Sequence, residues 1–253
     1  MFSETHIDKP AVELVEVVIG ATRADGGTRS WVVKAGGGEV SKPKNPPVLV
    51  FDVFDIPPSL PKPLKKTIGD AMEDPVSWAK SCIEEHGAEM IALELVSTNP
   101  LGMNRSAEEA VETVRKVLDA VDAPLMICGS GNGETDAKLL PAVAAAAEGE
   151  RCILSTVTME NYKPVVAAAI KYGHAVLAAT SISVDNAVAL NRKLIREGLD
   201  RDSIIIDPSS CALGYGFEYS YSVIERLKLK ALENNKLAQI PIYSCCANSW
   251  AAR

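Results

Sequence analysis

The residues best suited to chemistry run together as Asp207-Pro208-Ser209-Ser210-Cys211-Ala212-Leu213-Gly214-Tyr215-Gly216-Phe217-Glu218-Tyr219-Ser220. An acid and hydroxyls can hydrogen-bond a polar ligand, glycines let backbone approach it closely, and tyrosines give it a flat amphipathic wall. A plain helix-entry turn accounts for the spacing equally well. Similar groups recur after other apolar runs. Asp52 and Asp55 close one, Glu94 lies within the next, and Ser97-Thr98-Asn99 follow it. Gly129-Ser130-Gly131-Asn132-Gly133 follow a third, and Thr156, Thr158, Glu160 and Asn161 a fourth. Thr180 and Ser181 close a fifth, with Asp185 and Asn186 just beyond, and Asn248 follows the last. Asp52 and Asp207 could polarise a heterocycle as paired acceptors; capping and local hydrogen bonding is the plainer alternative. The glycine loop lacks the P-loop lysine and the third glycine of a dinucleotide fingerprint, which favours a flexible turn over a ligand loop.

A nucleophile with a base beside it is not evident. His6 sits in the N-terminal tail, His86 before Gly87 near a helix end, and His174 just before a strand, away from the residues above. Cys82, Cys128, Cys152, Cys211, Cys245 and Cys246 form no C-x-x-C pair and no zinc or iron–sulfur spacing. Cys128 and Cys152 lie in apolar runs and read as small buried hydrophobes. All six are expected as reduced, unligated thiols. The set fits a surface for a polar, amide-rich organic molecule better than it fits acid–base machinery.

These groups need a scaffold that gathers strand ends, and the hydrophobic pattern supplies one. Residues 12–19 and 30–34 read as two strands of a hairpin, and the Gly36-Gly37-Gly38 run with Pro43 to Pro47 as a linker. Residues 1–46 are thus an N-terminal appendage, and 47–253 a second unit. There, strands at 48–55, 90–95, 125–128, 152–156, 175–180, 204–206 and 240–244 alternate with helices at 75–85, 106–120, 136–147, 163–172, 184–197 and 223–232. Asp74 reads as a cap before Pro75, and Ser106 with Glu109 as a capping box. Wholly apolar strands alternating with amphipathic helices predict an α/β fold with a parallel sheet. Seven such repeats fit a (β/α)8 TIM-type barrel better than a doubly wound sheet, and place every candidate residue on one rim. No eighth strand and helix follow, so an incomplete barrel is expected.

A chain of 253 residues is long enough for one such barrel. A net charge of -7 and a pI near 5.1 argue against nucleic acid, which selects a basic face. No apolar run is long enough to span a bilayer, and residues 1–8 lack a signal-peptide layout. A cytoplasmic protein is the default expectation.

The stretch DPSSCALGYGFEYSYSVIERLKL resembles a segment of the delta (small) subunit of the corrinoid/iron-sulfur protein in the acetyl-CoA decarbonylase/synthase system. VVIGATRADGGTRS, PVLVFDVFDIPPSLPKPLKK, GDAMEDPVSWA, GSGN, EGERCIL and LNRKLIREGLDRDSIIIDPSS resemble other segments of that family in the same order, over nearly the whole chain. GSGN, EGERC and NSWAAR lean towards its archaeal form. The chain departs at residues 38–45, shorter than the family's Pro-Phe acidic segment, and at Cys211, where glycine or alanine is usual.

The resemblance implies a barrel of the pterin-binding group, like dihydropteroate synthase. It implies a heterodimer with a large (gamma) subunit that carries a [4Fe-4S] cluster and the corrinoid. Methyltransferase and acetyl-CoA synthase subunits would be further partners. This chain would be a non-catalytic subunit covering the cobamide while a methyl group passes between a methylated pterin and a nickel cluster. By position, the implied corrinoid contacts are Ser130, Gly131, Asn132, Thr180, Asn186, Asp207, Ser209, Gly214, Tyr215, Gly216 and Tyr219. A stand-alone pterin-dependent corrinoid methyltransferase and a purely structural subunit remain as alternatives.

Overall fold

A computed structural model describes residues 11–59 and 62–250; His6 lies outside them. The N-terminal hairpin pairs β1 (Glu16–Ile19) antiparallel with β2 (Val33–Gly36), Val17 facing Ala35. The stretch expected as a linker holds a second small hairpin, β3 (Gly38–Glu39) with β4 (Lys42–Pro43). Gly36, Gly37 and Gly38 all take positive φ, which turns the chain sharply between the two hairpins.

The barrel begins with β5 (Val50–Phe54), α1 (Lys62–Ile68), a 3₁₀ turn (Gly69–Glu73) and α2 (Pro75–Glu84). It continues with β6 (Met90–Glu94), α3 (Ala107–Ala120), β7 (Leu125–Cys128), α4 (Gly133–Ala146), β8 (Ile153–Val157) and α5 (Tyr162–Tyr172). It ends with β9 (Ala175–Ala179), α6 (Val184–Arg196), β10 (Ile204–Asp207) and α7 (Phe217–Leu232). The expected caps form: Asp74 accepts the Ser77 amide at 2.9 Å, and Ser106 and Glu109 close a reciprocal box.

The six strands β5 to β10 are parallel, and each pairs with its sequence neighbours. Strand alternation splits the core in two. Leu93, Ile127, Leu154, Val176 and Ile206 face outward onto Val114, Leu140, Val166 and Leu190 of the helices. Met90, Met126, Ile153, Leu177 and Ile205 face inward onto one another, because the sheet curls around them. Burying each such side chain stabilises the fold by about 1.5–3 kcal/mol. This is the expected TIM-type barrel, with strand C-termini on one rim.

Three features differ from the sequence reading. The seventh strand shrinks to one parallel bridge, Ile206 to Ile242, because Pro241 has no N–H to extend a ladder. The helix expected from 223 begins at Phe217, released by Gly216 in the left-handed region. The 55–74 stretch holds α1, whose first turn tolerates Pro63. Among the described residues β5 and Ile242 do not pair, and a groove of about 570 Å³ is lined by Val50, Asp52, Met126, Ile205 and Tyr243.

The hairpin plugs the opposite end. Val17, Ile19 and Val33 join the inner core cluster. Arg29, 3% exposed, bonds Glu150 at 2.7 Å and also donates to the carbonyls of Val121 and Leu118. Trp31 donates to the Glu89 carbonyl and Ser30 to Asp122. Gly20 packs against Pro124 and donates to the Arg151 carbonyl. His174 is buried at this end; Nδ1 accepts the Cys152 amide, and Nε2 lies 2.9 Å from the Ala144 carbonyl. Burial holds its pKa below the usual histidine value, so the ring is neutral.

Candidate functional site

The rim gathers the candidate residues in three tiers. The deepest is the barrel mouth. Parallel register sets Glu94 beside Cys128 and Cys128 beside Ser155. The thiol is within hydrogen-bonding reach of both neighbours. Burial, with the charges of Asp52 and Asp55, raises Glu94 to about 7, against the hydrogen bond from Cys128. Burial also raises Asp52 and Asp207, the latter against the Ser209 amide. Tyr243 and Cys245 share this mouth with Asp52 and are raised, first by burial. The mouth therefore combines reluctant carboxylates with protonated thiols.

The middle tier laces two loops together. The Thr180 amide donates to the Asp207 carbonyl at 2.9 Å, and Ser209 Oγ donates to the Thr180 carbonyl at 2.9 Å. Asp207 Oδ1 accepts the Ser209 amide at 2.8 Å, holding Ser209 at φ +66°. Thr180 Oγ1 is buried without a hydrogen-bond partner among the described residues. Such a hydroxyl is costly unless something satisfies it. Asn186 is exposed in the first turn of α6, which Ser183 caps.

The glycine loop belongs to neither a phosphate cradle nor a loose turn. Asp136 folds back from α4, accepting the Ser130 amide at 2.7 Å, its hydroxyl at 2.8 Å and the Gly131 amide at 3.1 Å. Gly129 is needed there, since a Cβ would stand 2.5 Å from the Asp136 carboxyl. The chain's own carboxylate thus fills the nest. Asn132 Oδ1 caps α4 through the Thr135 amide. Asp55 is similarly committed to Ser97.

The outermost tier is the loop before α7. Gly214 and Gly216 take φ of +78° and +98°. Tyr215 is 71% exposed and Tyr219 62%. The structure therefore joins Thr180, Asp207 and Ser209, retracts Ser130 into a local bond, and projects the two tyrosines. Sequence reasoning missed the Glu94–Cys128–Ser155 row and the Asp136 fold-back. An acid just past a glycine loop was the available signal for the second.

Burial raises the Cys152 thiol to about 12 and Cys82 to about 11, which keeps both protonated and unreactive. Among the described residues, no cluster of three or more His, Cys, Asp or Glu is placed to hold a metal ion. None of the described helices is long and apolar enough to cross a membrane.

Comparison with solved structures gives dihydropteroate synthase of Xanthomonas albilineans, with 4-aminobenzoic acid, at TM-score 0.56 and 14% identity, covering 93% of this chain and 78% of that one. That likeness shows the fold alone: a barrel of parallel strands alternating with helices. Acetyl-CoA decarbonylase/synthase complex subunit delta of Methanopyrus kandleri is 41% identical over 247 residues, 95% of this chain and 62% of its own length. The subunit of Methanocaldococcus jannaschii is 43% identical over 257 residues, 99% of this chain and 63% of its own. The chain thus spans less than two thirds of these curated relatives. The family described as CO dehydrogenase/acetyl-CoA synthase delta subunit matches residues 16–253. With that match and these identities, the chain belongs to the delta subunit family of CO dehydrogenase/acetyl-CoA synthase.

Proposed function

We propose that this chain is the barrel portion of the small subunit of a corrinoid/iron-sulfur methyl carrier within an acetyl-CoA decarbonylase/synthase complex. Its partner would be the large subunit bearing the [4Fe-4S] cluster and the corrinoid, with methyltransferase and acetyl-CoA synthase subunits beyond. Residues 1–46 would plug the base, and residues 47–253 would present the rim. The role is assembly and covering of the cobamide.

The observation that carries this reading is the middle tier. A corrinoid edge is a ring of amides, each with N–H donors and a carbonyl acceptor. The Asp207 carboxylate and the exposed Asn186 side chain match those groups, and the buried Thr180 hydroxyl behind them has no partner of its own among the described residues. Asn132 and the backbone at Gly131, Gly214 and Gly216 offer further polar contacts at the margin. Bound there, the corrinoid would supply the cobalt that accepts and gives up the methyl group. The chain's own residues orient the amide edge and keep water from it.

The test is gel filtration of this chain with corrinoid-loaded large subunit, followed at protein and corrinoid wavelengths. Co-elution with an altered corrinoid spectrum is expected, and Thr180→Val should reduce the spectral change. Methyl transfer from a methylated pterin to free cobalamin at enzymatic rates by the isolated chain would overturn the reading.

A further inference from the structure

A second cleft, of about 320 Å³, opens on the rim between the loop that follows β6 and the first turns of α4. Pro100, Ala107 and Leu139 line its apolar side, and Arg105, Thr135 and Lys138 its polar side. Small-molecule sites span about 300–1,000 Å³ and share this mix of apolar wall and few polar groups. We propose that this cleft binds the oxyanion of a small organic molecule, a phosphate or a carboxylate carried on a short apolar body. The proposal goes beyond the covering role above and does not rest on it.

Three observations lead there. The first is a guanidinium without a bond. Arg105 is half-buried, and among the described residues its side chain makes no hydrogen bond or ion pair. Its backbone amide is held by the Ser97 carbonyl at 3.0 Å, which fixes where the side chain starts. Arg29 and Arg151, also withdrawn from solvent, bond carboxylate or carbonyl oxygens. Arg201 Nε lacks a partner too, but that residue borders neither cleft. A guanidinium carries five fixed donors and no acceptor, a fork that matches carboxylate and phosphate. Lys138 and the Thr135 hydroxyl bring further donors to the same cleft, and neither is bonded among the described residues.

The second is the balance of acceptors and charge. Asp55, the acid whose charge reaches Arg105, gives its oxygens to the Ser97 amide and hydroxyl. Asp136 gives its own to Ser130 and Gly131. Glu134 is the acid that lines the cleft, and it is exposed. The lining side chains thus carry two positive charges against one negative, and donors against few acceptors. An anion completes that set, and an amine does not. The third is preorganisation. Asn99 Nδ2 donates to the Ser130 carbonyl at 3.0 Å, tying the loops of the two walls together. The Leu101 and Gly102 amides both fold back onto Asn99 at 2.9 Å. The cleft therefore stands before a ligand arrives, and binding orders little beyond two side chains.

The experiment titrates the 253-residue chain by calorimetry with phenyl phosphate and, separately, with glutarate at matched ionic strength. One saturable site is expected, and the tighter of the two ligands identifies the group as phosphate or carboxylate. Arg105→Gln should weaken binding about 30-fold and Lys138→Gln about 5-fold, since the first loses a paired charge-assisted bond and the second a point charge. Glu134→Gln should tighten it, more at low salt than at high salt. Arg115→Gln, exposed on α3, should leave it unchanged. Arg105 and Lys138 lie outside both barrel core clusters, so the unfolding midpoints of their variants should match the parent's. No saturation by about 10 mM of either ligand would overturn the assignment. So would an affinity that neither Arg105→Gln nor Lys138→Gln changes, because the anion would then sit elsewhere.

Discussion

The two ends of the barrel treat polar groups in opposite ways. At the base, the buried guanidinium of Arg29 finds Glu150 and two carbonyls, and His174 has a bond at each ring nitrogen. At the rim, Thr180 Oγ1 has no partner among the described residues, Glu94 is held against its own ionisation, and tyrosines point into solvent. The base is solved for stability. The rim carries costs that a folded chain tolerates only if something else uses them. Variants at the two ends should therefore separate stability from association.

The largest effect is expected at the base. Arg29→Ala leaves Glu150 buried without its cation and frees two carbonyls, and should destabilise the chain by about 3–5 kcal/mol. Urea unfolding measures it. Replacing both partners by methionine should recover only the part due to the orphaned charge, because the Val121 and Leu118 carbonyls and the Thr28 amide still lose their partners. If Arg29→Ala lost less than about 1 kcal/mol, the contrast between the two ends would collapse.

Next comes the mouth, with the opposite sign. Glu94 lies at about 7 in the folded chain, against an ordinary value of 4.5. Between those values the folded chain keeps a proton that the unfolded chain has released, so stability falls as pH rises through this window. Glu94→Gln removes that dependence. At pH 8 it should stabilise the chain by up to about 3 kcal/mol, and below pH 4.5 by little. Unfolding midpoints of both proteins across pH 4 to 8 decide it. Parallel curves would mean that the carboxyl is better solvated than its place in the barrel indicates.

How far the sequence could reach follows the same divide. The strand at Leu125–Cys128 was legible to the residue because an unbroken apolar run has one buried reading. Asp207 and Ser209 were legible because an acid closing such a run must sit at a strand end. The Glu94–Cys128–Ser155 row was not: its members are far apart in sequence, and only parallel register makes them neighbours. Cys128 read as a small hydrophobe and is indeed buried, yet its partners are polar. The start of α7 at Phe217 was hidden because the Phe-Glu-Tyr-Ser-Tyr segment lacks a clean apolar stripe.

A smaller loss belongs to the glycine loop, which is a rim element built like the base. Gly129→Ala drives a methyl group into the Asp136 carboxyl and costs the three bonds that carboxyl accepts. About 2 kcal/mol should go. Gly131→Ala meets open space, so its cost comes from φ +81° alone, and about 1 kcal/mol is expected. Comparing the two by urea unfolding separates carboxylate crowding from backbone strain.

The smallest effect on stability is expected at the outermost tier. Tyr215→Ser removes a ring that is 71% exposed and sits beyond both core clusters. Surface changes of this kind stay within about 0.5 kcal/mol. Its urea midpoint should therefore overlay the parent's. Gly216→Ala provides the sharper comparison, since the new methyl group would displace the Tyr219 ring and strain a backbone at φ +98°. If Tyr215→Ser unfolded the chain early, the ring would be packing the loop rather than standing in solvent. An unchanged midpoint in Tyr215→Ser, with a lowered one in Gly216→Ala, would show that the rim spends backbone order to hold rings in water.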